Sequence, residues 1–286
     1  MFTTYNDVYL DIRRKLISAG VSMAELEASE IIRYVTGKTK EEFVRDKYLH
    51  APNDITASAA RMAQRRLSGE PLAYILGEWE FYGITLKVTP DVLIPRSDTE
   101  ALVDCGLRRV HGEFRFLDLG CGSGCVGIAL ASMRNGAHGV LADISDGALA
   151  VAKENVISTR LGGRISCVHA DMMSAPPKQL GKFDLIVSNP PYITEKEMTE
   201  IDLSVRDFEP FSALCGGADG LDFYRAIANN WMDALNDGGV LALECGISQS
   251  AEIEKILSSS GGKNVQTTRD TAGTNRVVSC IKEEIN

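Results

Sequence analysis

Histidine is scarce in this chain: there are four, at His50, His111, His138 and His169, and the chemistry considered below needs none of them as a ligand, so no metal site is expected. His169, inside an expected strand, reads as buried or loop-facing rather than catalytic. Long apolar runs are also missing. No stretch reaches the roughly 18 residues that mark a membrane span, and the start, MFTTYNDVYLDIRRKL, lacks the basic opening and apolar core of a signal peptide. No membrane contact and a cytoplasmic location are therefore expected. Cysteine offers no framework, since seven is an odd number and the spacings form no pattern. Cys167, Cys245 and Cys280 sit in apolar segments and read as small buried hydrophobes in a reducing compartment. Positive charge is in deficit, 30 basic against 39 acidic residues for a net charge of −9. Nucleic-acid binding draws much of its affinity from neutralised phosphates, so this balance argues against a long duplex and against any stable nucleic-acid partner. The cluster Arg61, Arg65 and Arg66 is too small to change that.

What is present describes an ordinary soluble protein, 44% hydrophobic and 24% charged over 286 residues. That length allows a main domain of roughly 190 residues and a smaller one. Residues 1 to about 70 read as four helices. Asp7 is expected to cap the first, which carries Leu10, Ile12 and Leu16. Ser22 with Glu25, and Thr39 with Glu42, have capping-box spacing ahead of Leu26 and Phe43. The fourth helix is expected over 54–67. The alternation in EFYGITLKV predicts a hairpin with Gly83 at its turn, and Trp79, Phe81 and Tyr82 are expected either to line one wall of a site or to form a small satellite core. A helix is expected to start at Ser97 or Asp98.

From Phe114 strands and helices alternate. FRFLDLG, HGVLADI, RISCVHAD, FDLIVSN and GVLALECG read as strands, and helices are expected over 124–133, 146–158, 221–235 and from Ser248 to Leu257. KNVQTTRD and RVVSCI close the chain as a pair of strands. Right-handed crossovers then give an α/β, doubly wound, mostly parallel sheet of seven strands with an antiparallel last strand.

Chemistry concentrates where these strands end. In FDLIVSNPPYI, Asn189 follows a buried strand and precedes Pro190, Pro191 and Tyr192. Prolines cannot donate to the ladder and fix φ, so the strand must stop in a stiff turn, at the sheet edge where such folds bind ligands. One amide, exposed carbonyls and one ring there could grip a flat group carrying an NH₂. DLGCGSG places Gly120, Gly122 and Gly124, with Cys121 and Ser123 between them, at the mouth of a helix. This loop suits either a pyrophosphate or an amino-acid-bearing nucleoside, and the usual dinucleotide spacing is not met. Asp143, which is 23 residues beyond Gly120, can accept from two ribose hydroxyls in either cofactor class. Asp171 can accept from an adenine amine, or merely cap a helix, and Met172 can pack near the base.

DLGCGSG, LADIS, HADM and SNPPY, in that order, resemble a class I S-adenosylmethionine-dependent methyltransferase of the amino-methylating type. GEPLAYILGEWEFYG, VLIPRSDTE, FEPFSALCGGADGLDFYRAI and LALECGISQ resemble the protein-(glutamine-N5) methyltransferases that act on peptide chain release factors. The resemblance spans about residues 60–280. It implies a Rossmann-like methyltransferase domain over 98–286, a linking β-hairpin over 74–97 and a helical substrate-docking domain over 1–73. It further implies that Gly120–Gly124 surround the methionine part of S-adenosylmethionine, with Asp143 at the ribose and Asp171 and Met172 at the adenine. Asn189 would face both cofactor and substrate, and would hold the acceptor amide with Pro190, Pro191 and Tyr192. The acceptor would be the glutamine of a GGQ tripeptide, the products N5-methylglutamine and S-adenosyl-L-homocysteine, and the enzyme a monomer. The same grip would serve a ribosomal-protein glutamine, an adenine N6 or a guanine N2. Ser97 departs from the family, which usually has proline there, and this leaves the wall less rigid. Roles for Arg96 and Glu100 stay open between shaping the acceptor channel and tying domains together.

An amide nitrogen is a poor nucleophile. The resemblance implies that the Asn189 oxygen and the Pro190 carbonyl accept its two N–H bonds, aiming it and favouring positive charge as it alkylates. Tyr192 would stack on the flat amide. No strong base and no thiol are demanded.

Overall fold

The computed structural model describes residues 3–283. The chain forms two compact units, one comprising the residues up to Gly77 with Leu203–Phe208, the other Glu78–Asp202 and the chain from Glu209 onward.

The first unit begins with α1 (Tyr5–Ser18), α2 (Ala24–Thr36), α3 (Lys40–Asp46), α4 (Asn53–Leu67) and α5 (Leu72–Leu76). Thr4, in extended conformation, is the cap of α1, and its hydroxyl accepts from Asp7 N at 3.1 Å while the Asp7 carboxylate accepts from Thr4 N at 2.8 Å. Asp7, expected as the cap, is therefore the third-residue partner in a capping box. The box expected at Ser22 and Glu25 does not form: Met23 is the cap residue of α2 and has no side-chain bond, while Glu25 pairs with Arg13. Leu26 accordingly faces outward, and α2 buries Ala24, Ala28, Ile31 and Ile32. Thr39 and Glu42 do form their box, at 3.2 and 2.9 Å. The short α5, following Pro71, was not expected. Ile12, Leu16, Ile31 and Ile32 pack with Ala59 and Ala63 of α4, whose small side chains leave room for the larger ones.

The second unit starts with the hairpin β1 (Glu78–Phe81) and β2 (Ile84–Lys87), joined through Tyr82 and Gly83, both at positive φ, as a tight hairpin turn requires. Then come α6 (Glu100–Arg109), β3 (Phe114–Leu119), α7 (Cys125–Met133), β4 (Ala137–Asp143), α8 (Asp146–Ser158), β5 (Ile165–His169) and β6 (Phe183–Ser188). After α9 (Leu203–Arg206), which belongs to the first unit, follow α10 (Asp222–Asn230), β7 (Leu235–Glu244), α11 (Ser250–Ser259), β8 (Gly262–Arg269) and β9 (Asn275–Lys282). The helix expected over 221–235 stops at Asn230 and continues as a 3₁₀ turn, Met232–Ala234. Ser248, expected to open a helix, sits at φ +70°, and α11 begins two residues later.

The sheet has seven strands in the order β5-β4-β3-β6-β7-β9-β8, parallel from β5 to β7, with β9 antiparallel to both its neighbours. The expected architecture holds, including the antiparallel last strand, which inserts between β7 and β8. Near-continuous apolar strands such as Phe114–Leu119 and Phe183–Ser188 are covered on both faces, as parallel strands must be. Phe116, Leu141 and Leu185 meet α6, α7 and α8 on one face, while Leu117, Ile186 and Leu241 meet α10 and α11 on the other. Phe81 and Leu86 of the hairpin join the first of these layers.

Candidate active site

A cleft of about 370 Å³ opens at the carboxyl ends of the parallel strands, large enough for a nucleoside-sized ligand. Its glycine loop follows β3. Gly120, Gly122 and Gly124 stand at φ +72°, +53° and +80°, which only glycine adopts without strain. Gly120 N and Cys121 N donate to Ala142 O at 2.8 and 3.0 Å, so β4 fixes where the loop turns. Asp143 closes it from the other side, its carboxylate accepting from Gly122 N and Ser145 N, each at 2.9 Å. Asp171 closes its own turn, accepting from Met173 N at 2.8 Å and Ser174 Oγ at 2.9 Å. A Cβ on Gly120 would come within 2.4 Å of Met172 Cε, so the bare glycine is what admits that side chain. Trp231 Nε1 donates to Met172 O at 3.0 Å and holds its backbone.

The turn after β6 is built as firmly. Ser188 Oγ donates to Leu119 O at 2.6 Å across the sheet. Asn189 follows, half-buried, its Nδ2 donating to Thr99 Oγ1 at 3.3 Å. Gln249 Nε2 donates to Tyr192 O at 3.0 Å, and Gly216 N to Ile193 O at 2.8 Å. A Cβ at Gly216 would stand 2.7 Å from Pro191 O, and one at Gly220 would stand 2.4 Å from Tyr192 O. The NPPY backbone is thus backed by glycines that nothing larger can replace without displacing it. Tyr192 packs on the layer containing Tyr224 and Cys245, where burial, with Glu244 adding to it, pushes its phenol up to about 12.

Of the residues expected at the site, Gly120, Cys121, Gly122, Ser123, Asp143, Asp171, Met172, Asn189 and Pro191 line this one cleft. Gly124, Pro190 and Tyr192 do not. Gly124 lies beneath the loop, where a Cβ would meet Leu141 at 2.8 Å. Trp79, Phe81 and Tyr82 are likewise absent from the lining; Phe81 is in the core, and Tyr82 ties the hairpin to α6, donating from N to Glu100 at 3.0 Å and from its hydroxyl to Asp104 at 2.6 Å. Their place as a wall is taken by Asp91–Leu93, Pro95 and Arg96. Arg96 pairs with the buried Glu209, which also accepts from Ile94 N at 3.2 Å, so this wall is stapled to the chain following α9.

Three residues escaped sequence reasoning. Asp118, on β3, is buried, lines the cleft and accepts from Gly127 N at 2.8 Å. Glu244, at the end of β7, is buried too, and Thr99 lies between it and Asn189, accepting from Asn189 Nδ2 and favouring the ionised Glu244. The available signal was an acid interrupting an apolar strand, in FRFLDL and in LALEC. Burial pushes both carboxyls up to about 7, helped at Asp118 by the Asp143 charge, while Gly127 N at Asp118 and Thr99 at Glu244 pull the other way. Because the folded state holds these protons more tightly than the unfolded chain, the stability they contribute is fully present below the ordinary values of 3.8 and 4.5 and is lost as pH rises to about 7. Asp118→Asn should therefore flatten the decline in urea midpoint between pH 5 and pH 8; an unchanged slope would show that Asp118 does not titrate there.

Residues 98–205 match the family model of the methyltransferase small domain, and residues 7–77 that of the PrmC N-terminal domain. The chain is 40% identical over 268 residues to the release factor glutamine methyltransferase of Geobacter sulfurreducens, spanning 93% of this chain and 92% of that one. It is 39% identical over 257 residues to the same enzyme of Neisseria gonorrhoeae, spanning 89% and 92%. The chain belongs to the release factor glutamine methyltransferase family. The resemblance drawn from its motifs holds over nearly the whole sequence, including the helical start. A methyltransferase from Pyrococcus furiosus, 17% identical, superposes with a TM-score of 0.54 over 79% of this chain and all of its own, which shows that the fold is shared.

The cleft fits the cofactor of such a methyltransferase. Glycines at positive φ leave the loop backbone open to close approach, Asp143 offers carboxylate oxygens at its rim, and Met172 supplies an apolar contact.

Proposed function

We propose that this chain methylates the side-chain amide nitrogen of the GGQ glutamine in peptide chain release factors, using S-adenosylmethionine. Bound in the cleft, the cofactor supplies an electrophilic sulfonium methyl. Gly120–Gly124 and Asp143 hold it, with Asp171 and Met172 at the base. Asn189 binds the acceptor: with its Nδ2 donated to Thr99, its Oδ1 is left as an acceptor for one amide N–H. The Pro190 carbonyl takes the other. Both contacts fix the direction of the nitrogen and favour the partial positive charge that develops on it, and the N–H proton that the methyl displaces leaves along one of them as the sulfur keeps its electron pair. Pro191 stiffens the turn, and Tyr192, outside the cleft lining, supports it from the side of α10. Arg96 and Pro95 bound the acceptor's path.

The single observation that carries this reading is the orientation of Asn189, an amide on a turn fixed by two prolines and two glycines, whose donor is already engaged. The helical first unit, with Met23, Leu26, Tyr34, Val44, Tyr48 and Leu49 exposed on it, docks the release factor. Among the described residues no helix is long and apolar enough to cross a membrane. The enzyme works as a monomer in the cytoplasm, in keeping with seven free cysteines, and forms no stable complex with nucleic acid.

Incubating the protein with methyl-labelled S-adenosylmethionine and purified release factor, ribosomal proteins or DNA tests this directly. Label is expected in the release factor and should disappear when its GGQ glutamine is changed. Label in a ribosomal protein or in DNA, with none in the release factor, would refute it.

A further inference from the structure

Asn189 can serve as an acceptor only if its amide stands the right way round, and an asparagine side chain on its own has no preference between its two orientations. The chain of contacts behind it supplies one. Thr99, which is 2% exposed, accepts from Asn189 Nδ2 at 3.3 Å, and its hydroxyl lies beside the carboxyl of Glu244, also 2% exposed, and favours the ionised form of that acid. Glu244 pairs across the ladder with Val277 of β9, so it is anchored in the sheet interior, and its Oε2 has no hydrogen-bond partner among the described residues. Nothing in the chemistry derived so far uses this buried acid.

We propose that Thr99 and Glu244 are positioning residues for the methyl transfer, orienting the Asn189 amide so that Oδ1, and not Nδ2, faces the acceptor nitrogen. The logic is that of donors and acceptors. An ionised carboxylate only accepts, so Thr99 must spend its single proton on Glu244. The Thr99 oxygen is then left as an acceptor, and only the NH₂ of Asn189 can satisfy it. A neutral Glu244 breaks this order: it can donate to Thr99, which is then free to turn its own proton toward Asn189 and accommodate the reversed amide. That reversed amide would aim a donor at the substrate's N–H group.

Burial weakens Glu244 as an acid, pushing its pKa up to about 7. Arg276 from β9 and Arg96 from the segment before α6 favour the ionised form, while Asp98 opposes it. Tyr192, Tyr224 and Cys125 also face it and are uncharged near neutrality. Arg276 itself is shared with Asp98 at 2.9 Å and Asp270 at 3.2 Å, so it does not neutralise Glu244 outright.

The proposal rests on Asn189 contacting the acceptor, and the experiment separates the two claims. Turnover at saturating cofactor and release factor is measured for Thr99→Val, Thr99→Ser, Glu244→Gln, the Thr99→Val/Glu244→Gln pair and Asn189→Ala, with binding of S-adenosylhomocysteine as the check on a folded site. Thr99→Val and Glu244→Gln are each expected to lose about ten- to a hundredfold in kcat with KM nearly unchanged. The pair should lose no more than either alone, since both break one chain of bonds, and Thr99→Ser should recover most of the rate. The parent's kcat should rise with pH through neutrality, and that rise should vanish in Thr99→Val. If Asn189→Ala is inactive while Thr99→Val and Glu244→Gln keep full turnover, the relay is wrong and Asn189 still contacts the acceptor. Additive losses in the pair, or an unaltered pH profile in Thr99→Val, would overturn the relay as well. Full activity in Asn189→Ala would remove both.

Discussion

Replacing Asn189 by alanine is expected to lower kcat by about 10²–10³, the cost of deleting one preorganised polar contact to a charge that develops in the transition state. Affinity for S-adenosylmethionine should stay within about twofold, because the glycine loop, Asp143 and Asp171 are all untouched. The reason for so unequal a split is geometric. The amide nitrogen of glutamine carries its lone pair in the carbonyl π-system, and it becomes reactive only when its N–H bonds are held and its nitrogen is pressed toward the electrophile. In the proposed reading, Asn189 acts on that arrangement and on little else. The turn that carries it is fixed independently, by Ser188 Oγ on Leu119 O at 2.6 Å and Gln249 Nε2 on Tyr192 O at 3.0 Å, so truncating the side chain leaves the backbone in place. Rapid-quench measurement of methyl transfer, set beside calorimetric binding of S-adenosylhomocysteine, separates the two quantities. A variant that loses cofactor affinity in proportion to rate would assign Asn189 to cofactor binding instead.

Asp143→Ala should give the mirror image. Its carboxylate accepts from Gly122 N and Ser145 N, each at 2.9 Å, and stands at the rim where the ribose hydroxyls would lie. Hydrogen bonds to a charged group contribute about 1.5–3 kcal/mol each, and losing the equivalent of one weakens cofactor binding by roughly 10- to 150-fold. The loop glycines, all at positive φ, have no side chains of their own to hold that conformation once Asp143 is gone. At saturating cofactor, however, kcat should return to within about tenfold of the parent, since the acceptor side is intact. A Kd unchanged in Asp143→Ala would show that the loop holds itself and that the ribose is gripped elsewhere.

The contrast between what sequence made visible here and what it hid has a physical basis. Strand ends, the glycine loop and the NPPY turn were legible because each is dictated by backbone chemistry within a few residues: a proline that cannot donate, a glycine that can take positive φ. The Thr39 and Glu42 box was legible for the same reason. Ser22 and Glu25 have the same spacing and form no box, because Arg13 of α1 takes Glu25. Asn189, Thr99 and Glu244 come from segments far apart in the chain, and no local pattern announces that they meet. The choice left open for Trp79, Phe81 and Tyr82 is of the same kind: alternation gave a hairpin but could not say whether Phe81 met a cleft or a core, and it meets a core.

The place of β9 in the sheet has a consequence for how this chain reaches its native state. β8 is made before β9 yet touches the sheet only through it, so neither the β7 edge nor β8 has a partner until residues 275–282 emerge. Until then β7 offers a row of unpaired amides and carbonyls along Val240–Glu244, the sort of edge that recruits other chains. Folding of this half must wait for the ribosome to deliver it, and a protein truncated before Asn275 should be found in inclusion bodies rather than as a weakened enzyme.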